Sequence, residues 1–247
     1  MELNGETLRF IREHCKDDVR SLALQAPKYP GVDMPVALTQ IAGRQAAAEK
    51  IPSWHEEEGV LYPRHLSLEQ CSSEATARYK ASIIPESSSG TLTDLTGGFG
   101  IDCAFLSPKF HHVTYVERQE VLCEIASHNF PLLGLNHIRI ENKDGIRYLQ
   151  EMSSVDWIFI DPARRDGHGG KTVAIADCEP NVAELESLLL EKAQHVMVKL
   201  SPLRTQHCCR REYSYPLHQS ANEGWEKYKD NRTVLHLHPR TGTIKPE

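Results

Sequence analysis

The chain has 247 residues, 40% of them apolar and 25% charged, enough for one large α/β domain or a domain plus a smaller attachment. That composition excludes a disordered protein, and a net charge of −6 excludes a surface coated in basic residues, though not a local basic groove. Seven cysteines, an odd number without CxxC spacing, point to free thiols in a reducing compartment rather than to a zinc site or a disulfide framework. The charged N-terminus has no apolar signal core, and no segment approaches the roughly 18 apolar residues that span a bilayer. The expectation is a cytoplasmic protein with no membrane partner.

Residues 1–85 read as a small helical domain. Leu8, Ile11, Cys15, Val19 and Leu22 recur at three- and four-residue steps, with Asn4 placed to cap. After the proline-rich APKYPGVDMP comes VALTQIAGRQAAAEK, in which Pro35 suits a first helical turn. In SLEQCSSEATARYKASII, Ser67 with Gln70 makes a capping-box pattern, and Ser72 or Ser73 offers a second helical start. PESSSG is a loop or linker.

From residue 91 strands and helices alternate. TLTDL, HVTYVE, IRIEN, VDWIFID and HVMVKLS are strand candidates. The segments between them that begin IDCAFL, RQEVLC, GIRYLQ and NVAELE are helical, the last preceded by the long loop PARRDGHGGKTVAIADCEP. Five strands alternating with helices imply a parallel sheet covered on both faces, here residues 86–203. From 204 to 247 the texture changes abruptly to scattered His, Arg and Tyr, and VLHLH alternates only briefly. This end reads as an irregular tail, truncated or frame-shifted, and the sheet as incomplete for that reason; an intact downstream frame in the source DNA would support that expectation. The histidines, including His111-His112, lack metal-ligand spacing, so no metal is expected.

The stretch TLTDLTGGFGID sets three glycines, Gly97, Gly98 and Gly100, between the first strand and its helix. In a parallel sheet this turn lies beyond the strand ends, where ligands bind and where glycine lets backbone N–H groups approach them. A P-loop would need Lys-Ser/Thr after the last glycine, and Ile-Asp follows instead. A dinucleotide fingerprint would need a glycine where Cys103 stands. Asp94 at the strand's end suits a ligand bearing an ammonium group and repels a diphosphate. An amino-acid-bearing nucleoside such as S-adenosyl-L-methionine (SAM) answers that description.

DLTGGFG resembles the first motif of the class I SAM-dependent methyltransferases, with Thr96 in place of the first glycine. The resemblance continues at Glu117 after the second strand, Asp144 after the third, and Asp161-Pro162-Ala163-Arg164 after the fourth. LSLEQCSSEATARYKA and DPARR are more specifically similar to a bacterial methyltransferase group with a THUMP-like domain and a trimethylguanosine-synthase-like core; the similarity covers roughly residues 35–203. It implies a Rossmann-like methyltransferase domain, SAM as cofactor, and RNA or a nucleotide-containing substrate. Asp94, Thr96, Gly97, Gly98 and Gly100 would hold the methionine part, Glu117 the ribose and Asp144 the adenine. Glu69 and Gln70 would sit on a segment that lids the cofactor, the other reading being a simple helix cap. Asp161 and Pro162 would stand at the methyl-transfer point, with Arg164 and Arg165 steering substrate. Ala163 and Arg164 replace the second proline and the aromatic of the usual D/N-P-P-Y/F motif, so stacking of a target base there is not implied. Two rivals remain open at the level of sequence: a non-catalytic SAM- or nucleotide- and RNA-binding module, and a nicotinamide oxidoreductase.

Overall fold

The structure, a computed structural model, describes residues 3–86, 90–164, 178–200 and 233–237. The irregular tail expected from residue 204 onward falls mostly on residues 204–232 and 238–247, which lie outside the described residues.

Helices α1 (Gly5–Glu13) and α2 (Val19–Leu24) replace the single helical run that periodicity suggests. Asn4 caps the first by accepting from the Thr7 N–H, and Asp18 starts the second by accepting from Ser21. Two competing caps within one apolar period thus divide it. Helix α3 (Met34–Lys50) follows Asp33, with Pro35 in its first turn as expected, and α4 (Pro52–Glu56) is a short addition. Helix α5 (His65–Gln70) begins before Ser67, so the capping-box reading of Ser67 and Gln70 does not hold; Arg64 precedes it without a side-chain cap. Ser73 does cap α6 (Glu74–Ile83), accepting from the Thr76 N–H.

The sheet is built from β1 (Thr91–Asp94), β2 (His112–Glu117), β3 (Ile138–Asn142), β4 (Val155–Ile160), β7 (Ala193–Leu200) and β8 (Thr233–Leu237), in the order β3-β2-β1-β4-β7-β8. The first five are mutually parallel, as the alternation of strands with α7 (Ile101–Leu106), α8 (Glu120–Leu132), α9 (Gly145–Glu151) and α10 (Val182–Lys192) requires. β8 runs antiparallel beside β7, so TVLHL, too short to stand out by alternation, adds an edge strand to the sheet. Within the loop after β4, β5 (Ala163–Arg164) and β6 (Cys178–Glu179) form a two-residue antiparallel pair.

Helical and sheet residues share one core. Ile51, Trp54, Tyr62, Leu68 and Ala77 pack in the same apolar cluster as Leu92, Phe99, Ile101, Tyr115, Phe130 and Phe159. A smaller cluster of Phe10, Leu22, Met34, Ala37 and Ile41 closes the outer helices on themselves. The strand order reverses between β1 and β4, and the carboxyl ends of these strands frame the cleft described next.

Candidate active site

A cleft of about 680 Å³ opens at the carboxyl ends of β1, β2, β3 and β4. Its wall includes Thr96, Gly97, Gly98, Gly100, Glu117, Asp144, Asp161 and Pro162, which sequence reading had placed on four separate strand ends. Glu69 and Gln70 of α5 line it from the helical side, where Lys50 Nζ donates to the Leu68 and Glu69 carbonyls and fixes the end of that helix.

The glycine turn is tied down at its centre. Gly98 N–H donates to Glu117 Oε2 at 2.9 Å, and Tyr115 Oη donates to the Gly98 carbonyl. Gly97 lies so close to the Tyr115 ring that a Cβ there would come within 2.2 Å of it, while Gly98 has φ +55° and ample room. Phe99 turns inward and packs edge-on against Trp54, ring centroids 5.1 Å apart, which anchors the turn to the helical layer. Glu117 also accepts from the Gln119 N–H at 2.8 Å. Both of its oxygens are therefore oriented by backbone donors, and each keeps a lone pair for a further donor.

Asp144 has two roles at once. It caps α9, accepting from Ile146 and Arg147 at 3.1 Å each, and it lines the cleft. Asp94 behaves differently from the other acids. It is fully buried beneath the turn and does not reach the cleft wall. One oxygen accepts from the Thr96 N–H at 2.9 Å, and Oδ2 is buried with no hydrogen-bond partner among the described residues. Burial, reinforced by the charges of Asp102, Asp161 and Glu117, pushes its pKa up to about 8.

Thr96, which departs from the glycine usual at its position, has a clear use. Its Oγ1 accepts from the Asp161 N–H at 2.7 Å and pins the end of β4 to the turn after β1. Asp161 itself is ion-paired to Lys199 at the end of β7. Lys199 also lies 3.7 Å from Asp102, the second residue of α7, and Asp102 is ion-paired to Lys80 of α6. Ser72 completes the group, donating to Asp102 Oδ2 and accepting from Lys80 Nζ, both at 2.8 Å. Lys80, Asp102 and Lys199 are all buried. Burial pushes the Asp102 carboxyl up, but the two lysines and Ser72 together hold it below its ordinary range. Burial raises the Asp161 pKa, with Lys199 opposing.

Sequence reading missed this ion-pair chain. Lys199 had a detectable signal, a cation within the apolar strand VMVKL, and so did Asp102 within IDCAFL. Lys80 had none, because in TARYKAS a lysine reads as a solvated helix face. Of the arginines assigned to substrate, Arg164 lies on β5 and Arg165 lies outside the described residues.

The residues present fit SAM. An anion-lined cleft holds an oriented carboxylate for a diol, a capping acid near its far wall, and a turn whose backbone is bare of side chains at Gly97 and Gly98. Asp94, buried beneath the turn and off the cleft wall, acts on a ligand only through the backbone of that turn, which it holds by accepting from the Thr96 N–H.

Comparison with known proteins agrees on the fold. The chain is 31% identical to a provisionally assigned methyltransferase from Porphyromonas gingivalis W83, at a TM-score of 0.66 over 80% of this chain and 48% of that one. It thus spans about half the length of that protein. A SAM-dependent methyltransferase from Agrobacterium tumefaciens shows 20% identity and a TM-score of 0.37, covering 53% of this chain and 44% of its own. An rRNA methylase from Streptococcus thermophilus shows 14% and 0.37, covering 51% and 68%. No family model and no curated protein matches the chain. The architecture is the Rossmann-like methyltransferase fold, and SAM is the cofactor consistent with it and with the cleft.

Proposed function

We propose that the chain is a SAM-dependent methyltransferase acting on RNA or another nucleotide-containing substrate. When bound, SAM supplies an electrophilic methyl group on a sulfonium, so the protein's part is positioning and electrostatics. In this reading the turn of Thr96, Gly97, Gly98 and Gly100 holds the methionine part, with Asp94 beneath it. Glu117 accepts from the ribose hydroxyls, and Asp144 faces the adenine amino group. Glu69 and Gln70 close the helical side. Asp161 and Pro162 stand where the acceptor approaches, and Arg164 and Arg165 offer guanidinium groups to a substrate phosphate. The finer kinship with the THUMP-like group belongs to the same proposal and rests on LSLEQCSSEATARYKA and DPARR.

The observation that carries the reading is Glu117, fixed by two backbone N–H groups at the cleft wall beside the glycine turn. Calorimetric titration with S-adenosylhomocysteine (SAH) tests it. The wild type should bind in the micromolar range, and Glu117→Gln should weaken binding by roughly tenfold or more, the loss expected for hydrogen bonds to a charged acceptor. A folded protein that ignores SAH but binds NAD would overturn the reading in favour of an oxidoreductase. Labelled SAM with total RNA then separates the enzyme from a binding module: transferred label supports catalysis, and SAH binding without transfer to any acceptor supports the module.

A further inference from the structure

Four side chains alternate in charge through the floor of the cleft, in the order Lys80, Asp102, Lys199, Asp161. They come from α6, α7, β7 and the end of β4. The two lysines are nearly inaccessible, at 0% and 2%, whereas the Asp161 side chain is 29% exposed; Asp102, Lys199 and Asp161 all border the cleft, and Lys80 lies behind them. The chain of charges thus runs from the interior, at Lys80, to its most exposed member, Asp161. Pairing buried ions is a poor way to gain stability, since apolar residues of similar size usually do as well. Lys199 in particular follows Val196, Met197 and Val198, all buried, where an apolar residue would continue the strand.

We infer that Lys199 is a positioning residue: held from behind by Asp102, its ammonium keeps the cleft-facing Asp161 carboxylate charged and fixed at the methyl-transfer point. The inference rests on the methyltransferase reading, which puts Asp161 at the reacting centre. Among the described residues, the charged groups facing Asp161 are Lys199 from β7, Asp102 from α7 and Lys80 from α6. Asp94 from β1 lies close enough to feel the Asp161 charge, as it feels Glu117 from β2. Lys199 is the cation in direct contact with the carboxylate, and the Asp161 N–H is already engaged with Thr96. Without Lys199, a half-buried carboxylate beside the Asp102 charge takes up a proton.

The two cofactor forms make this charge readable without an acceptor. SAM carries a sulfonium where SAH carries a neutral thioether, and the rest of the two molecules is shared. Their affinity ratio therefore reports charge near the sulfur, and because Asp94 lies beneath the turn and titrates near neutral pH, each protein is also measured in an Asp94→Asn background. The experiment is calorimetric titration of SAM and of SAH into the wild type, Lys199→Met, Asp161→Asn and the double variant. Asp161→Asn should lower the preference for SAM by about tenfold. Lys199→Met should lower it similarly near neutral pH and recover as pH rises, and the double variant should fall no lower than Asp161→Asn alone. A SAM preference that increases in Lys199→Met would mean that Lys199 acts only as a cation repelling the sulfonium, and an unchanged ratio would mean that it acts only in packing; either overturns the inference. Should Lys199→Met fail to fold, the Asp94→Asn protein decides: a ratio constant from about pH 6 to about pH 8, after the free ligands' own amine titration is subtracted, supports a permanently charged Asp161, and one that climbs across that range sinks it. If the folded wild type binds neither compound, the cofactor reading itself has failed, an outcome distinct from all of these.

Discussion

On the β1–β2 side of the cleft, polar contacts link residues close in sequence: Thr96 to Asp94 two positions away, Gly98 to Glu117 nineteen away. On the β4–β7 side they link distant ones: Ser72 to Asp102 across thirty positions and Lys199 to Asp161 across thirty-eight. The first side is made of backbone N–H groups meeting carboxylates, and the second of buried ion pairs. Backbone donors at a strand-to-helix turn follow from the fold once the turn has its glycines. Ion pairs between segments exist only after those segments have packed. The halves should therefore respond differently to substitution, one in ligand binding and local conformation, the other in global stability.

The largest effect should come from Lys80→Met, which keeps most of the side-chain volume and removes the charge. It leaves Asp102 buried with its nearest cation gone, and loss of one partner from such a pair costs about 4 kcal/mol. Urea unfolding should show a cooperative loss of that order with the m-value unchanged. A loss below about 1 kcal/mol would mean that Lys199 and Ser72 suffice for Asp102, and that the Lys80 charge adds nothing to the packing of the helical segment on the sheet.

The same contrast explains what could be read in advance. Strand ends, the glycine turn, Glu117, Asp144 and Asp161 were legible because alternation fixes the strands and a carboxylate ending an apolar strand is conspicuous. The internal strand boundaries were legible for that reason too. Thr96 was visible as a departure, but its bond to the Asp161 N–H was not, since nothing local says which strand lies beside β1. The break between α1 and α2 escaped because apolar periodicity continues through Asp18, and the cap that divides it is a hydrogen bond. Lys80 was illegible altogether: its burial depends on α7 being packed against α6.

Gly97→Ala probes the legible half. A Cβ would fall 2.2 Å from the Tyr115 ring, itself buried and hydrogen-bonded to the turn, so neither side can yield cheaply. The expected loss is about 3 kcal/mol, with SAH binding abolished. Gly98→Ala is the comparison: its Cβ meets nothing closer than the Thr96 carbonyl at 3.8 Å, leaving only the cost of φ +55°, about 1 kcal/mol. Thermal melts of the two variants should differ accordingly. Equal losses would show that conformation, and not space against Tyr115, dictates glycine in this turn.

Asp94→Asn should have a smaller effect than Lys80→Met or Gly97→Ala, and the opposite sign. The carboxyl titrates at about 8 in the fold against 3.8 when unperturbed, so the folded state holds a proton that the unfolded chain releases. A pKa raised on folding contributes stability in full below the unfolded value and loses it as pH rises through the folded one. The wild type should thus weaken between about pH 4 and about pH 8 from this group, while the asparagine variant, having nothing to ionise, should not. Near pH 8 the variant should be more stable by about 2 kcal/mol, once the unpartnered buried amide is set against the relief of burying charge. Unfolding at the two ends of that range separates the cases. A variant less stable than the wild type at pH 8 would mean that Asp94 is ionised and matched by a cation in the folded chain.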